Sequence, residues 1–315
     1  MAMNLHHLRL FAAVVDHGGF TKAAAQLGLT QPAISKSLNE LERSLNVRLI
    51  DRRGRSARLT PAGRALHARA RELFGVERLA ERELREIRGL KRGRLRVAAT
   101  PTIATYMLPE VLGRFHRRRP TVRIRSISAA ATTVAKLLLE SRVDVALTET
   151  AIDDDFVDAI PWREDELVIV APRDHSLLGR DSVTLNDLEE HPFLVHETGS
   201  ETRAAVDRAL SARGVRLRAT TRVAGTEAIK QAVAAGLGLA FVSKAAAADQ
   251  LSLGRIAILP GDGLVIRRPL MRLRLRGRAG GISPAGRELE LLLDEASNGG
   301  VASDATGISD LSPRE

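Results

Sequence analysis

Residues 21–42, TKAAAQLGLTQPAISKSLNELE, constrain this chain more than any other stretch. Ala23, Ala24 and Leu27 put small and apolar side chains on one face of a short helix that Thr21 can cap, and Gly28 supplies the permissive backbone for a sharp turn. A second helix starts at once. Thr30 or Gln31 caps it, Pro32 sits in the first turn where a missing N–H costs nothing, and Ile34, Leu38 and Leu41 recur at helical spacing. The opposite face carries Gln31, Ser35, Lys36 and Asn39, side chains of the lengths that reach base edges and phosphates in a major groove. As a bare pattern, the same spacing also fits a helical hairpin inside a larger core.

Downstream, Arg48 to Thr60, RLIDRRGRSARLT, sets a turn-forming glycine inside a run of arginines, the pattern of a hairpin wing beside the second helix. Like charges crowded this closely need a polyanion nearby or full solvation. The charge balance follows the motif: residues 1–92 hold 18 Lys and Arg against 9 Asp and Glu, while the remainder is nearly neutral at 30 against 29. Positive charge confined to the segment with the groove-binding pattern points to nucleic acid rather than to a generally basic protein. Leu5 to Asp16 forms a supporting amphipathic helix, with Leu5, Leu8, Phe11, Ala12 and Val15 on one side.

Residues 4–64 resemble the winged helix-turn-helix of the LysR-type transcriptional regulators. The likeness is carried by Leu5, Leu8 and Phe11; Gly19-Phe20-Thr21; Ala23-Ala24 and Leu27; Gln31-Pro32-Ala33-Ile34-Ser35; Leu38, Leu41-Glu42, Leu45, Leu49 and Arg52; and Leu59-Thr60-Pro61-Ala62-Gly63. It implies a DNA-binding domain over residues 1–60. In that reading Gln31, Ala33, Ser35 and Lys36 contact bases or adjacent phosphates, Thr21 and Pro32 stand with them at the helix starts, and Arg52 and Arg53 on the wing grip backbone or minor groove.

Residues 61–92 read as a linker helix and hinge. Pro61 opens a helical pattern that runs to about Leu90, in which Leu66, Leu73, Val76, Ala80, Ile87 and Leu90 trace the seam of a two-stranded coil. Arg69 and Glu83 fill two intervening slots, so a solvated helix laced by ion pairs is the other reading. A second copy is the natural cover, since a helix-turn-helix needs two copies to read two half-sites.

From Arg94 strands and helices alternate, the signature of a parallel sheet with crossover helices. Strands are expected at Leu95–Ala99, Val122–Ile127, Val143–Leu147, Leu167–Ala171, Phe193–His196, Arg218–Val223, Leu239–Val242 and Leu270–Leu275. Helices are expected at Ile103–His116, Thr133–Glu140, Leu185–Glu190, Thr202–Arg213, Glu227–Ala235 and Pro284–Ala296. Residues 93–296 resemble the two-lobed, periplasmic-binding-protein-like (type 2) effector domain of the same family, at Leu108-Pro109, Val143 to Leu147, Val170-Ala171-Pro172, Gly199-Ser200, Thr202-Arg203 and Val233 to Gly238 among others. The resemblance implies lobe one at 93–162 plus 268–296 and lobe two at 163–267. The expected fold class is therefore α/β with a helix-dominated N-terminal domain, and the Gly/Ser/Asp-rich tail 297–315 is expected to be disordered.

In open parallel sheets, ligands bind beyond the carboxyl ends of the strands, where helix N-termini present free N–H groups to an anion. Those ends carry hydroxyls here: Thr100 and Thr102 after the first strand, Thr132 and Thr133 after the second, Thr148 after the third, and Thr226 before a later helix. His196 ends a strand in the facing lobe, and Thr202 and Arg203 open a helix. Together they suit a small anionic metabolite, with Arg203 or helix dipoles balancing its charge. Each hydroxyl taken singly also reads as a plain helix cap. Glu201 adds negative charge close to this pocket, where it repels polyanions or faces solvent.

No Walker pattern, dinucleotide fingerprint or His-Glu-x-x-His occurs, and no catalytic, metal or cofactor residues are assigned. With no cysteine there are no disulfides or thiolate metal sites. The most apolar stretch, Gln231 to Ser243, has 13 residues between lysines, against the roughly 20 a membrane helix needs. A soluble, cytoplasmic protein is expected. The resemblance implies a sequence-specific regulator working as a homodimer or homotetramer on double-stranded promoter DNA, with RNA polymerase as a further partner. Two other classes stay open: a ligand-independent architectural DNA binder, and an enzyme on the two-lobed domain.

Overall fold

The computed structural model describes residues 3–51, 58–88, 93–154, 156–217, 219–276 and 282–298. The chain divides into two compact units, Met1–Leu90 with Leu139–Ser141, and Lys91–Leu138 with Arg142–Glu315.

In the first unit Asn4 opens helix α1 (Leu5–Asp16), its side-chain oxygen accepting from the N–H groups of His6 and His7. Helix α2 spans Phe20–Leu27, with Gly19 at its cap position, so Thr21 lies inside the first turn and is not the cap. Gly28 ends α2 at φ 65°, the left-handed conformation expected of it. Helix α3 (Gln31–Leu45) follows from Thr30, with Pro32 in its first turn, and closes on Asn46 at φ 50°. Leu8, Phe11, Ala23, Ile34, Leu38 and Leu41 pack into one core, together with Leu49 and Ile50. The hairpin β1 (Ile50–Asp51) and β2 (Arg58–Leu59) pairs antiparallel, Ile50 opposite Leu59. Arg52 and Arg53 lie outside the described residues.

Helix α4 runs Pro61–Arg88, and the hinge at 89–92 is outside the described residues. Its first turn is capped by Thr60, whose hydroxyl accepts from Gly63 N–H at 2.9 Å and donates to the Arg48 carbonyl at 2.6 Å. One face, with Ala70 and Phe74, completes the first core.

The second unit holds one nine-stranded sheet. Its strands are β3 (Arg94–Ala99), β4 (Arg123–Ser128), β5 (Val145–Thr148), β6 (Val157–Pro172), β7 (Pro192–His196), β8 (Ala219–Val223), β9 (Leu239–Ser243), β10 (Ile256–Ile258) and β11 (Ile266–Leu275). Its helices are α5 (Leu108–Arg118), α6 (Ala131–Leu139), α7 (Glu201–Ala212), α8 (Thr226–Ala234), α9 (Lys244–Ser252) and α10 (Pro284–Asn298). The order is β4-β3-β5-β11-β6-β9-β7-β8, with β10 on β6. Two parallel trios, β4-β3-β5 and β9-β7-β8, therefore flank a long antiparallel ribbon of β6 and β11 that belongs to both halves. Leu95, Val97, Phe115, Leu147, Trp162 and Leu292 form the core of one half; Leu167, Phe193, Leu210 and Phe241 form that of the other.

Several sequence expectations need correction. The strand expected at Leu167–Ala171 starts ten residues earlier, at Val157. The charged run Arg163 to Glu166 hid it, and those charges are met by β11, where Arg267 faces Glu166 and Arg268 faces Asp165. The helix expected at Leu185–Glu190 is a single 3₁₀ turn, Asn186–Leu188. The helix expected from Ile103 begins as a π-helical turn, Ile103–Met107, before α5. Helix α6 starts at Ala131, so Thr132 and Thr133 lie within its first turn. Helix α9 and strand β10 carry no expectation from the sequence. Ser297 and Asn298, assigned to the tail, finish α10, and the tail beyond them lies outside the described residues. Among the described residues, no helix is long and apolar enough to cross a membrane.

Candidate DNA-binding surface and ligand cleft

The first unit presents its polar helix face as a rigid surface because the other face is locked. Ile34, Leu38 and Leu41 are fully buried, which orients α3 so that Gln31, Pro32, Ala33 and Lys36 stand exposed and Ser35 half-exposed. Thr21 and Lys22 are exposed at the start of α2. A further residue fastens the wing to this helix. Glu42, 5% exposed, accepts from the N–H groups of Leu49 at 2.7 Å and Ile50 at 3.2 Å, and from Arg48 Nη1 at 3.2 Å. One carboxylate thus satisfies two buried backbone donors, which would otherwise each cost about 1–3 kcal/mol.

On α4 the expected seam divides. Leu66 is half-buried against the first core, whereas Leu73, Val76, Ala80 and also Leu84 are exposed. The side chain of Ile87 lies outside the described residues. Leu73, Val76, Ala80 and Leu84 share one face at helical spacing, an apolar strip that the first unit leaves uncovered.

In the second unit the expected cleft residues lie at strand ends and helix starts of both halves, and Arg268 links the two by donating to Glu149 and Thr202. Thr100 and Thr148 are fully buried at the carboxyl ends of β3 and β5, and Thr102 is 4% exposed. Thr148 is spent locally, its hydroxyl donating to the Thr150 carbonyl at 2.7 Å. The Thr100 hydroxyl is buried without a hydrogen-bond partner. From the other half come His196 and Thr202, both buried, with His196 Nε2 3.2 Å from the Thr226 hydroxyl. Thr132 and Thr133 are exposed on α6 and are not drawn into this buried group.

Arg203, expected to balance a ligand's charge, is engaged: it donates to the His196 carbonyl at 3.1 Å and to Asp207 at 3.3 Å. The buried cation at the junction is Arg268, which the sequence reading passed over. It donates from Nε to Asp165 at 2.9 Å and from Nη1 to Glu149 at 3.1 Å and Thr202 at 3.3 Å. Asp165 also accepts from the Ser243 hydroxyl at 2.6 Å. Alternation along β11 placed Arg268 on the same face as Ile266 and Leu270, a signal available in the sequence. Among the described residues, no cluster of three or more ligating side chains could hold a metal.

Burial, aided by the charges of Arg268 and Arg203, pushes the His196 imidazole down to about 4. His196 is therefore neutral at pH 7. The unfolded chain binds its proton first, so stability is lost as pH falls from about 6.5 towards 4, by roughly 3 kcal/mol in total. A ring-proton NMR titration that finds His196 charging near pH 6.5 would overturn this.

Residues 5–64 match the bacterial regulatory helix-turn-helix protein, lysR family, and residues 88–295 match the LysR substrate binding domain. Over 298 residues the chain is 34% identical to a RuBisCO operon transcriptional regulator from Allochromatium vinosum, covering 94% of this chain and 98% of that one. Among solved structures it is similar to OxyR from Corynebacterium glutamicum in an H2O2-bound form, with a TM-score of 0.58, 25% identity and 96% of each chain covered. It is also similar to the regulatory domain of CcmR from Synechocystis in complex with 2-PG, with a TM-score of 0.59, 26% identity, and 65% of this chain and 97% of that one covered. A helix-turn-helix in the first unit and a substrate-binding domain in the second, in this order, make the chain a member of the LysR family of DNA-binding transcriptional regulators.

Proposed function

We propose that this regulator reads promoter DNA with the amino-terminal half of α3 and is controlled by a small anionic metabolite bound between the halves of its second unit. Gln31, Ala33, Ser35 and Lys36 take the base and adjacent phosphate contacts, with Thr21 and Pro32 at the helix starts and Arg52 and Arg53 gripping the backbone from the wing. The observation that carries this reading is the exposure of Gln31 to Ala33 and Lys36 on a helix whose opposite face is fully buried. The uncovered strip of Leu73, Val76, Ala80 and Leu84 supports pairing of two copies through α4, with Ile87 extending it and Leu66 anchoring it to the core. Domain limits of 1–60, 61–92 and 93–296 follow, with a homotetramer as the working assembly and RNA polymerase as its partner at the promoter.

For the metabolite, the buried hydroxyl of Thr100, unpartnered at the end of β3 next to the end of β5, supports a ligand in the cleft, as does the likeness to a regulatory domain solved with 2-PG; Thr102, Thr148, Thr202 and His196 are assigned to the same site. Thr132, Thr133, Arg203 and Thr226 border it. A ligand that favours one arrangement of the halves shifts the population of DNA-binding states by its differential affinity for them.

Fluorescence anisotropy on the protein's own upstream region and on scrambled duplex tests the DNA reading. Gln31→Ala is expected to weaken cognate binding by about 5- to 150-fold, as loss of about 1–3 kcal/mol implies, with random DNA hardly affected. Arg53→Ala is expected to weaken both and flatten the salt slope. Equal losses on both duplexes for Gln31→Ala would remove that residue from the reading set.

A further inference from the structure

The face of α3 that carries Gln31 and Lys36 continues past them. Asn39, Arg43 and Asn46 follow Lys36 at steps of three, four and three residues, so they share that face, away from the buried Ile34, Leu38 and Leu41. With Glu42, Val47 and Arg48 they line an open concavity of about 520 Å³ between the last turns of α3 and the chain leading into β1.

Two arginines border this concavity. Among the described residues, Arg48 commits only Nη1, to Glu42, and its side chain is 74% exposed. Arg43 is exposed and has no acceptor among the described residues, whereas Arg9 and Arg69 elsewhere in the unit hold Glu77 and Glu72. The carboxylate in the lining, Glu42, is already used: Oε1 takes the N–H groups of Leu49 and Ile50, and Oε2 takes Arg48. A cation in the last turn of a helix also suits the helix dipole. Here, however, the terminal carbonyls have other donors. Leu41 accepts from the Ser44 hydroxyl at 2.8 Å, Glu42 from Val47 N–H at 3.1 Å and Arg43 from Asn46 N–H at 3.2 Å. The guanidinium of Arg43 is left with its donors unspent, in the planar fork that suits the oxygens of a phosphate.

Distance decides what such a fork can reach. At about 1.5 Å per residue, Arg43 lies roughly 10 Å beyond Lys36 and roughly 18 Å beyond Gln31 along the helix. The major groove is only about 8.5 Å deep and about 12 Å wide. A helix that enters it by its amino-terminal half, with Gln31 on base edges, therefore carries Arg43 to the level of the phosphates. We infer that Arg43, with Arg48 and Asn46 beside it, clamps a backbone phosphate on the wall of the groove that Gln31 to Lys36 read. The clamp carries no sequence information; it fixes how far and at what tilt α3 enters. It goes beyond the base and wing contacts assigned above and rests on α3 being the helix in the groove.

The test is anisotropy of the full-length Arg43→Gln variant on the upstream duplex and on the scrambled one, over a range of salt. Both affinities should fall by a similar factor, about 3- to 10-fold at about 0.1 M salt, as loss of one phosphate contact implies. The salt slope should drop by about one, so that going from about 50 mM to about 200 mM salt costs the wild type about threefold more affinity than the variant. Arg43→Lys should keep the wild-type slope, and circular dichroism should show both variants as folded as the wild type, since the side chain is exposed. A loss confined to the upstream duplex with the slope unchanged would make Arg43 a base reader, and unchanged affinity and slope would make it a solvated arginine; either overturns the clamp. So would inorganic phosphate that raises the melting temperature of the wild type but not of Arg43→Gln while the two bind DNA equally, because the concavity then takes free phosphate. The underlying reading fails separately: if α3 is not the helix in the groove, Gln31→Ala loses no discrimination, whatever Arg43→Gln does. If the clamp alone fails, Gln31→Ala still discriminates less while Arg43→Gln matches the wild type.

Discussion

Arg268→Ala is expected to lower the stability of the second unit by about 3–5 kcal/mol, the usual cost of removing one partner from a buried charge cluster. The loss comes from what stays behind. Asp165 and Glu149 remain buried, one keeping only the Ser243 hydroxyl and the other left without its cation. Coupling should also be visible: Asp165→Asn with Arg268→Ala should cost less than the two single changes summed. The measurement has a built-in reporter, since the chain has one tryptophan, Trp162, buried in the second unit with its Nε1 donating to the Leu293 carbonyl at 3.0 Å. Denaturant melts followed by its fluorescence report that unit alone. A loss below about 1 kcal/mol would place Arg268 among dispensable surface pairs.

The second large effect is expected at Gly63. Glycine in a helix normally invites replacement, and alanine there gains about 1 kcal/mol in propensity. Here the sign should reverse. A Cβ on Gly63 would overlap the backbone carbonyl of Leu49, with the Leu59 side chain 3.0 Å away. That carbonyl is held in place, because it accepts from the N–H of Thr60 at 3.0 Å. Relief requires α4 to lift from the wing strands, breaking the Thr60 cap, so Gly63→Ala should destabilise the first unit by about 3 kcal/mol. Circular dichroism should show a separate, earlier loss of helix while the Trp162 transition is unchanged, and specific DNA binding should fall at least about tenfold, since α3, wing and α4 share one core. An unchanged melt would mean that the close approach at Gly63 does not constrain the fold.

The elements that could be read in advance are those whose signal is local. The period of Ile34, Leu38 and Leu41, the Gly28 turn and Pro32 in a first helical turn each act within one or two turns of chain, and all three stand as expected. Thr21 was misplaced by two positions because Gly19 can hold a cap conformation without a side chain. The strand over Val157 to Glu166 does not show in the sequence because Arg163 to Glu166 are four charges in a row, whose partners come from β11 and from Ser243 and Lys244, far along the chain. Arg203 was chosen as the cleft cation by its position at a helix start, yet Asp207 one turn on and the His196 carbonyl take it up.

What the chain determines on its own is which faces are apolar, where helices start and stop, and where its positive charge is concentrated, since each follows from neighbours along the sequence. From these come a basic helix-turn-helix and an α/β unit behind it. What the tertiary structure alone decides is which charges meet. Arg268 lies 103 residues from Asp165 and 119 from Glu149, and nothing local relates them. Burial then turns that meeting into a site, because groups that would be indifferent in water must be satisfied once the sheet has closed over them.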